Sequence, residues 1–134
     1  MLLGNTMLGT FQSSHLRIDV PATTDQLREH LTQPAKLRQW LWPLQLQMTG
    51  DRLQVGDTFT SEFLWLKLEH RVELLTAERL VLVLRQAIEG WQEWSWGEGW
   101  VQSCIEGVTP LPLELGQTVL LWRLKSVLSE TVSS

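Results

Sequence analysis

The sequence predicts an α+β domain in which a seven-stranded, curved antiparallel sheet wraps around a long C-terminal helix. Three observations carry that expectation. Apolar residues recur with period two through most of residues 44–108, the mark of half-buried strands. The connections between these stretches are short, which joins neighbouring strands antiparallel. Beyond Thr109-Pro110-Leu111-Pro112 the period lengthens to that of a helix.

The first strand is His15 to Val20, with Leu16, Ile18 and Val20 on one side and His15, Arg17 and Asp19 on the other. Pro21 ends it. Thr23 then serves as an N-cap with Gln26 three residues on, a capping box that opens a short helix whose buried face carries Leu27 and Leu31. Pro34 suits the first turn of a second short helix, on which Leu37, Trp40 and Leu41 share a face before Pro43 stops it. Six further strands follow. Leu44, Leu46 and Met48 alternate with Gln45, Gln47 and Thr49, and Gly50-Asp51 turns the chain. Phe59, Ser61 and Phe63 alternate with Thr58, Thr60 and Glu62, and then Leu66, Leu68, His70, Val72 and Leu74 give the cleanest alternation of all.

Leu80 to Ile88 is apolar on both faces until Arg85. Four of the eight tryptophans then fall within ten residues, Trp91, Trp94, Trp96 and Trp100, on a hairpin that turns at Gly97-Glu98-Gly99. The last strand is Trp100 to Val108. In the final helix, read from Pro112 to Glu130, Leu113, Leu120, Leu121, Leu124, Val127 and Leu128 make one stripe. Leu115, Val119 and Trp122 fall outside it, so the helix is apolar around more than half its circumference. Residues 1–10 read as a flexible N-terminus, 11–130 as a single domain and 131–134 as a frayed end.

Composition narrows the function classes. With 134 residues, 43% hydrophobic and 19% charged, the chain can bury a real core without staples. The net charge is −4 and the 11 basic residues are scattered, which argues against a nucleic-acid partner and against a polybasic membrane anchor. No apolar run is long enough to span a membrane. The single cysteine, Cys104, fits a reducing compartment and reads as a buried small hydrophobe. Met1 to Gly9 lacks a basic region and a long apolar run, so a cytoplasmic home is expected rather than export.

The element order, and especially Ile18-Asp19-Val20-Pro21-Ala22-Thr23 followed by Pro34-Ala35-Lys36-Leu37-Arg38-Gln39-Trp40, resembles the START/birch-pollen-allergen-like superfamily, the SRPBCC or helix-grip fold. The resemblance runs from about Phe11 to Glu130 and rests mainly on topology. It implies a hydrophobic cavity between sheet and helix, of the kind that holds lipids, sterols, polyketides or hormones. Its members include polyketide cyclase/dehydrase-like enzymes and protein-binding relatives that activate a heat-shock ATPase. Membership of such a fold implies a pocket more firmly than a chemistry.

The candidate cavity lining is Leu66, Leu68, His70, Leu82, Leu84, Gln86, Trp94, Trp96, Val119 and Leu120. His70 stands between Leu68 and Val72 on the inner side. It is either satisfied by Ser61, Gln86 or a water, or it is a polar anchor for a ligand or a general base. Gln86 is either a second inward group or a strand end facing solvent. In the hairpin Trp94 and Trp96 are expected inward, as core or as cavity wall, leaving Glu93 and Ser95 wet; a one-residue slip would reverse that. An inward Glu93 or Glu106 would be an acid/base candidate. His15, His30 and His70 lie on separate elements, so no metal site is expected. No nucleophile motif or phosphate loop is present, and no cofactor is implied.

The first expectation is therefore non-catalytic binding of a small hydrophobic ligand: a lipid, isoprenoid or polyketide-like molecule. The alternatives are an interaction module or homodimer using exposed Trp65, Trp91 or Trp100, and a cyclase/dehydrase-like enzyme with His70 or an inward Glu as base.

Overall fold

The structure, a computed structural model, describes residues 9–41 and 43–133. Its first strand, β1 (Thr10–Asp19), starts five residues before the apolar alternation does. The extra length comes from pairing: Thr10 to Ser14 ladder with Thr109 to Ile105 of β7 (Trp100–Thr109), a partner that local sequence cannot reveal. The capping box forms as expected at the start of α1 (Thr24–Thr32). The Gln26 amide donates to Thr23 Oγ1 at 3.1 Å, and the Thr23 amide donates to Gln26 Oε1 at 2.9 Å. The second short helix, α2, is Pro34–Leu41.

Six strands follow: β2 (Gln45–Gln47), β3 (Thr58–Phe63), β4 (Leu66–Leu75), β5 (Arg79–Gln86), β6 (Glu89–Gly97) and β7. They make one antiparallel sheet in the order β1-β7-β6-β5-β4-β3-β2. β2 is shorter than expected. The expectations for residues 1–8 and for Ser134 lie outside the described residues.

Register decides which side chains share the inner face. One row runs Val72, Leu82, Gln92, Ile105 and Ser14, and the next runs Phe59, His70, Leu84, Gly90 and Gly107. The two glycines are opposite one another because the backbones come too close for anything larger. A Cβ on Gly90 would strike the Glu106 carbonyl, and one on Gly107 would sit 2.7 Å from the Glu89 carbonyl oxygen. A sheet bends most readily at such a pair, and here it curls toward its inner face.

The final helix, α3 (Leu113–Ser133), crosses that face and runs three residues beyond the expected Glu130. Its buried line is Leu113, Gln117, Leu121, Leu124 and Leu128. Gln117 ties it to β1, its Nε2 donating to Ser14 O at 3.0 Å and to Ser14 Oγ at 2.8 Å. Arg123 Nε donates to the Trp40 carbonyl at 2.8 Å and ties it to α2. The helix therefore leans on β1 and α2, whereas β3, β4 and β5 find their main neighbours in adjacent strands. That leaning leaves a hollow.

Candidate functional site

The hollow lies between the inner faces of β2 to β6 and the first half of α3, and its volume is about 550 Å³. Strand alternation supplies most of its wall. Phe59, Ser61 and Phe63 come from β3, Leu66, Leu68 and His70 from β4, and Leu80 and Leu82 from β5. Trp40 of α2 and Trp94 of β6 meet edge to face, ring centres 5.7 Å apart and planes at 76°, and both line the cavity. Trp40 is fixed by its own indole N–H, which donates to the His30 carbonyl at 2.9 Å. Phe63, Lys67, Leu115 and Val119 are wall residues that are also exposed, so the cavity opens between the β3–β4 hairpin and the start of α3.

His70 is a buried titratable residue of this wall. Its ring stacks on Phe59, the residue directly opposite on β3, with centroids 4.4 Å apart and planes 6° from parallel. Only 8% of the residue is exposed, and Nδ1 is sealed from solvent with no hydrogen-bond partner. Burial lowers its pKa from 6.5 to about 4, because a charged ring loses its hydration there; the carbonyls of Phe59 and Leu68 oppose the shift. The ring is neutral at pH 7. Ser61, also buried, is the diagonal neighbour of His70 on the same face. Gln92 donates from Nε2 to Ser103 Oγ at 3.1 Å. The charged residues of the wall are Lys67, 3.8 Å from Glu62, and Arg123.

Of the expected lining residues, Leu66, Leu68, His70, Leu82, Trp94, Val119 and Leu120 are in the cavity wall. Leu84 and Trp96 point inward but are packed within the core, at 1% and 0% exposure, away from the void. Gln86 is corrected more sharply. It ends β5 at φ +79, which breaks the alternation and turns its side chain into solvent. Glu93 and Glu106 are on the outer face, so neither brings a carboxylate to the cavity. Glu93 holds Arg79, whose Nε donates at 2.6 Å, and this keeps the carboxyl below its usual range. Glu106 Oε1 accepts from Ser13 Oγ at 3.3 Å.

Cys104 is half-buried on the outer face rather than in the core, and burial pushes its thiol up. The reading of the residues missed Phe59, Leu80, Trp40 and Ile105 as wall. The first two share the parity of His70 and Leu82 and could have been found from it; the others depend on where α2 and β7 pack. Trp65 is 81% exposed on the β3–β4 hairpin, but Trp91 and Trp100 are half-buried on distant strands, with Arg17 over the Trp100 ring at 4.0 Å. The three tryptophans do not make one patch.

No family model and no curated protein matches the chain. Solved structures do. Protein CV1439 from Chromobacterium violaceum superposes with a TM-score of 0.71 at 18% identity, over 87% of this chain and 96% of that one. Norcoclaurine synthase from Thalictrum flavum, in complex with dopamine and hydroxybenzaldehyde, gives 0.65 at 14% identity over 96% and 92%. DynU16, a protein of the dynemicin biosynthetic locus, gives 0.68 at 18% identity over 87% of this chain and 47% of its own, so the chain spans about half of DynU16. The fold is a helix grip. Within it, β3 to β5 form the open side of the grip and β1, β7 and α1 the closed side. Among the described residues, no helix is long and apolar enough to cross a membrane, and no cluster of His, Cys, Asp or Glu could hold a metal ion.

Proposed function

We propose that this protein binds a small hydrophobic molecule, without transforming it, in the cavity between the sheet and α3. The carrying observation is the cavity itself, about 550 Å³ with a wall made mainly of Leu, Phe, Trp and Ile side chains. That volume is in the range of roughly 300–1,000 Å³ typical of small-ligand sites, and far above what a few waters fill. A protein of the same fold has been solved with two small aromatic molecules, dopamine and hydroxybenzaldehyde. Catalysis has less support. The wall contains no carboxylate, and an imidazole held at about 4 is a weak base at neutral pH.

Native mass spectrometry of the protein purified from its own host, together with Nile red titration, tests this reading. The expected result is a retained mass or a saturable rise in dye fluorescence, abolished in Leu68→Trp, whose indole occupies the void. A bare polypeptide mass together with no dye response in the wild-type protein overturns it.

A further inference from the structure

We infer that the molecule this cavity takes is neutral and mainly apolar but carries a hydroxyl group, which docks on the polar spot made by His70 and Ser61. The inference rests on the ligand-binding reading above and adds the ligand's chemical class. Its basis is a mismatch within the wall. Phe59, Leu66, Leu68 and Leu82 surround the spot with carbon, yet the buried His70 ring forms part of the cavity wall there. A polar side chain in such a place is costly unless something answers it, and the protein offers it no side-chain partner.

Geometry holds the ring ready. Stacking on Phe59 at 4.4 Å fixes the plane of the imidazole, and the β3–β4 register sets Ser61 diagonally beside it. A neutral imidazole has one N–H donor and one lone-pair nitrogen, and a serine hydroxyl can donate or accept. An alcohol or phenol is likewise donor and acceptor, so it can answer both groups at once. A carboxylate or ammonium group fits badly. It would lose its hydration against a neutral ring, and the charged residues of the wall, Lys67 and Arg123, are not in the buried spot. A pure hydrocarbon fills the volume but adds nothing to the Phe59 and Leu68 carbonyls that the ring already meets, and leaves Ser61 without a partner from the ligand.

The test compares two probes of nearly equal shape, 2-naphthol and 2-methylnaphthalene, by calorimetric titration of the wild-type protein, His70→Phe and Ser61→Ala. The wild type is expected to bind the naphthol about tenfold more tightly, the worth of one buried hydrogen bond. His70→Phe should bring the two probes to within about twofold of one another, since it keeps the ring stack and removes both nitrogens. Ser61→Ala, a smaller change that carries the test if His70→Phe does not fold, should also narrow the gap. Equal binding of the two probes to the wild type, or a gap that neither variant narrows, overturns the inference while leaving the ligand-binding reading intact. Binding of neither probe overturns that reading and this inference with it.

Discussion

The two halves of the sheet's inner face are both mainly apolar and end in opposite states. On the closed side, Trp96, Val101 and Ser103 are at 0% exposure and α1 presses Leu27 into the same core. On the open side, Leu66 and Leu68 keep partial exposure and face the void. Side-chain size does not explain the difference, because the closed strands carry the smaller inner residues, Val101, Ser103 and Ile105, and the open ones mainly leucine and phenylalanine. The cause is the line taken by α3. Gln117 anchors it to β1 and Arg123 to α2, so it cannot also press on β3 to β5. A helix about 10–12 Å across covers only part of a seven-stranded sheet, and the tethers decide which part. A cavity here is the consequence of an off-centre lid.

The sharpest way to break this comparison is to cut into the closed half. Trp96→Ala should cost about 3–5 kcal/mol in urea unfolding, the usual loss for a large aromatic in a packed core. A loss under about 1 kcal/mol would mean that the closed side is not close-packed.

A second, somewhat smaller effect belongs to the open side and appears only with pH. Folding holds His70 at about 4, whereas the unfolded chain protonates it near 6.5. The unfolded state therefore binds more protons between those values. Stability from this group is complete above 6.5 and is lost as pH falls toward 4, by about 3 kcal/mol at most. Denaturation curves at pH 7 and pH 4.5 should diverge for the wild-type protein and diverge much less for His70→Phe. Equal divergence in both would remove His70 as the source.

The smallest expected contrast uses one kind of enlargement on both sides. Val101→Phe should cost about 1–3 kcal/mol by overpacking, while Leu68→Phe, which has the void to grow into, should cost less than about 1 kcal/mol. Similar melting points for the two variants would contradict the division into packed and open halves.

Much of the fold was legible because its signals are local. The Thr23–Gln26 capping box, the Pro34 start, the period-two runs and the Gly97–Gly99 turn each rest on a few neighbouring residues. The parity of Leu66, Leu68 and His70 likewise set them on one face before any pairing was known. Leu115, Val119 and Trp122, which lie off the main apolar stripe of α3, are exposed at 63%, 47% and 67%, and the first two border the cavity. Gln86 was misplaced because a positive φ at a strand end breaks parity without a glycine to announce it. Leu84 and Trp96 had the right face, but facing inward does not decide between core and cavity wall.

By itself, then, the sequence determined the order of the elements, the faces of the strands and the presence of one imidazole among leucines. Backbone propensity and side-chain alternation act over a few residues, and they leave their mark in order. Tertiary structure alone decided the first half of β1, the tilt of α3 and the void beside His70. Those depend on contacts such as Gln117 to Ser14, 103 residues apart in the chain, and an empty volume is what such distant contacts fail to fill.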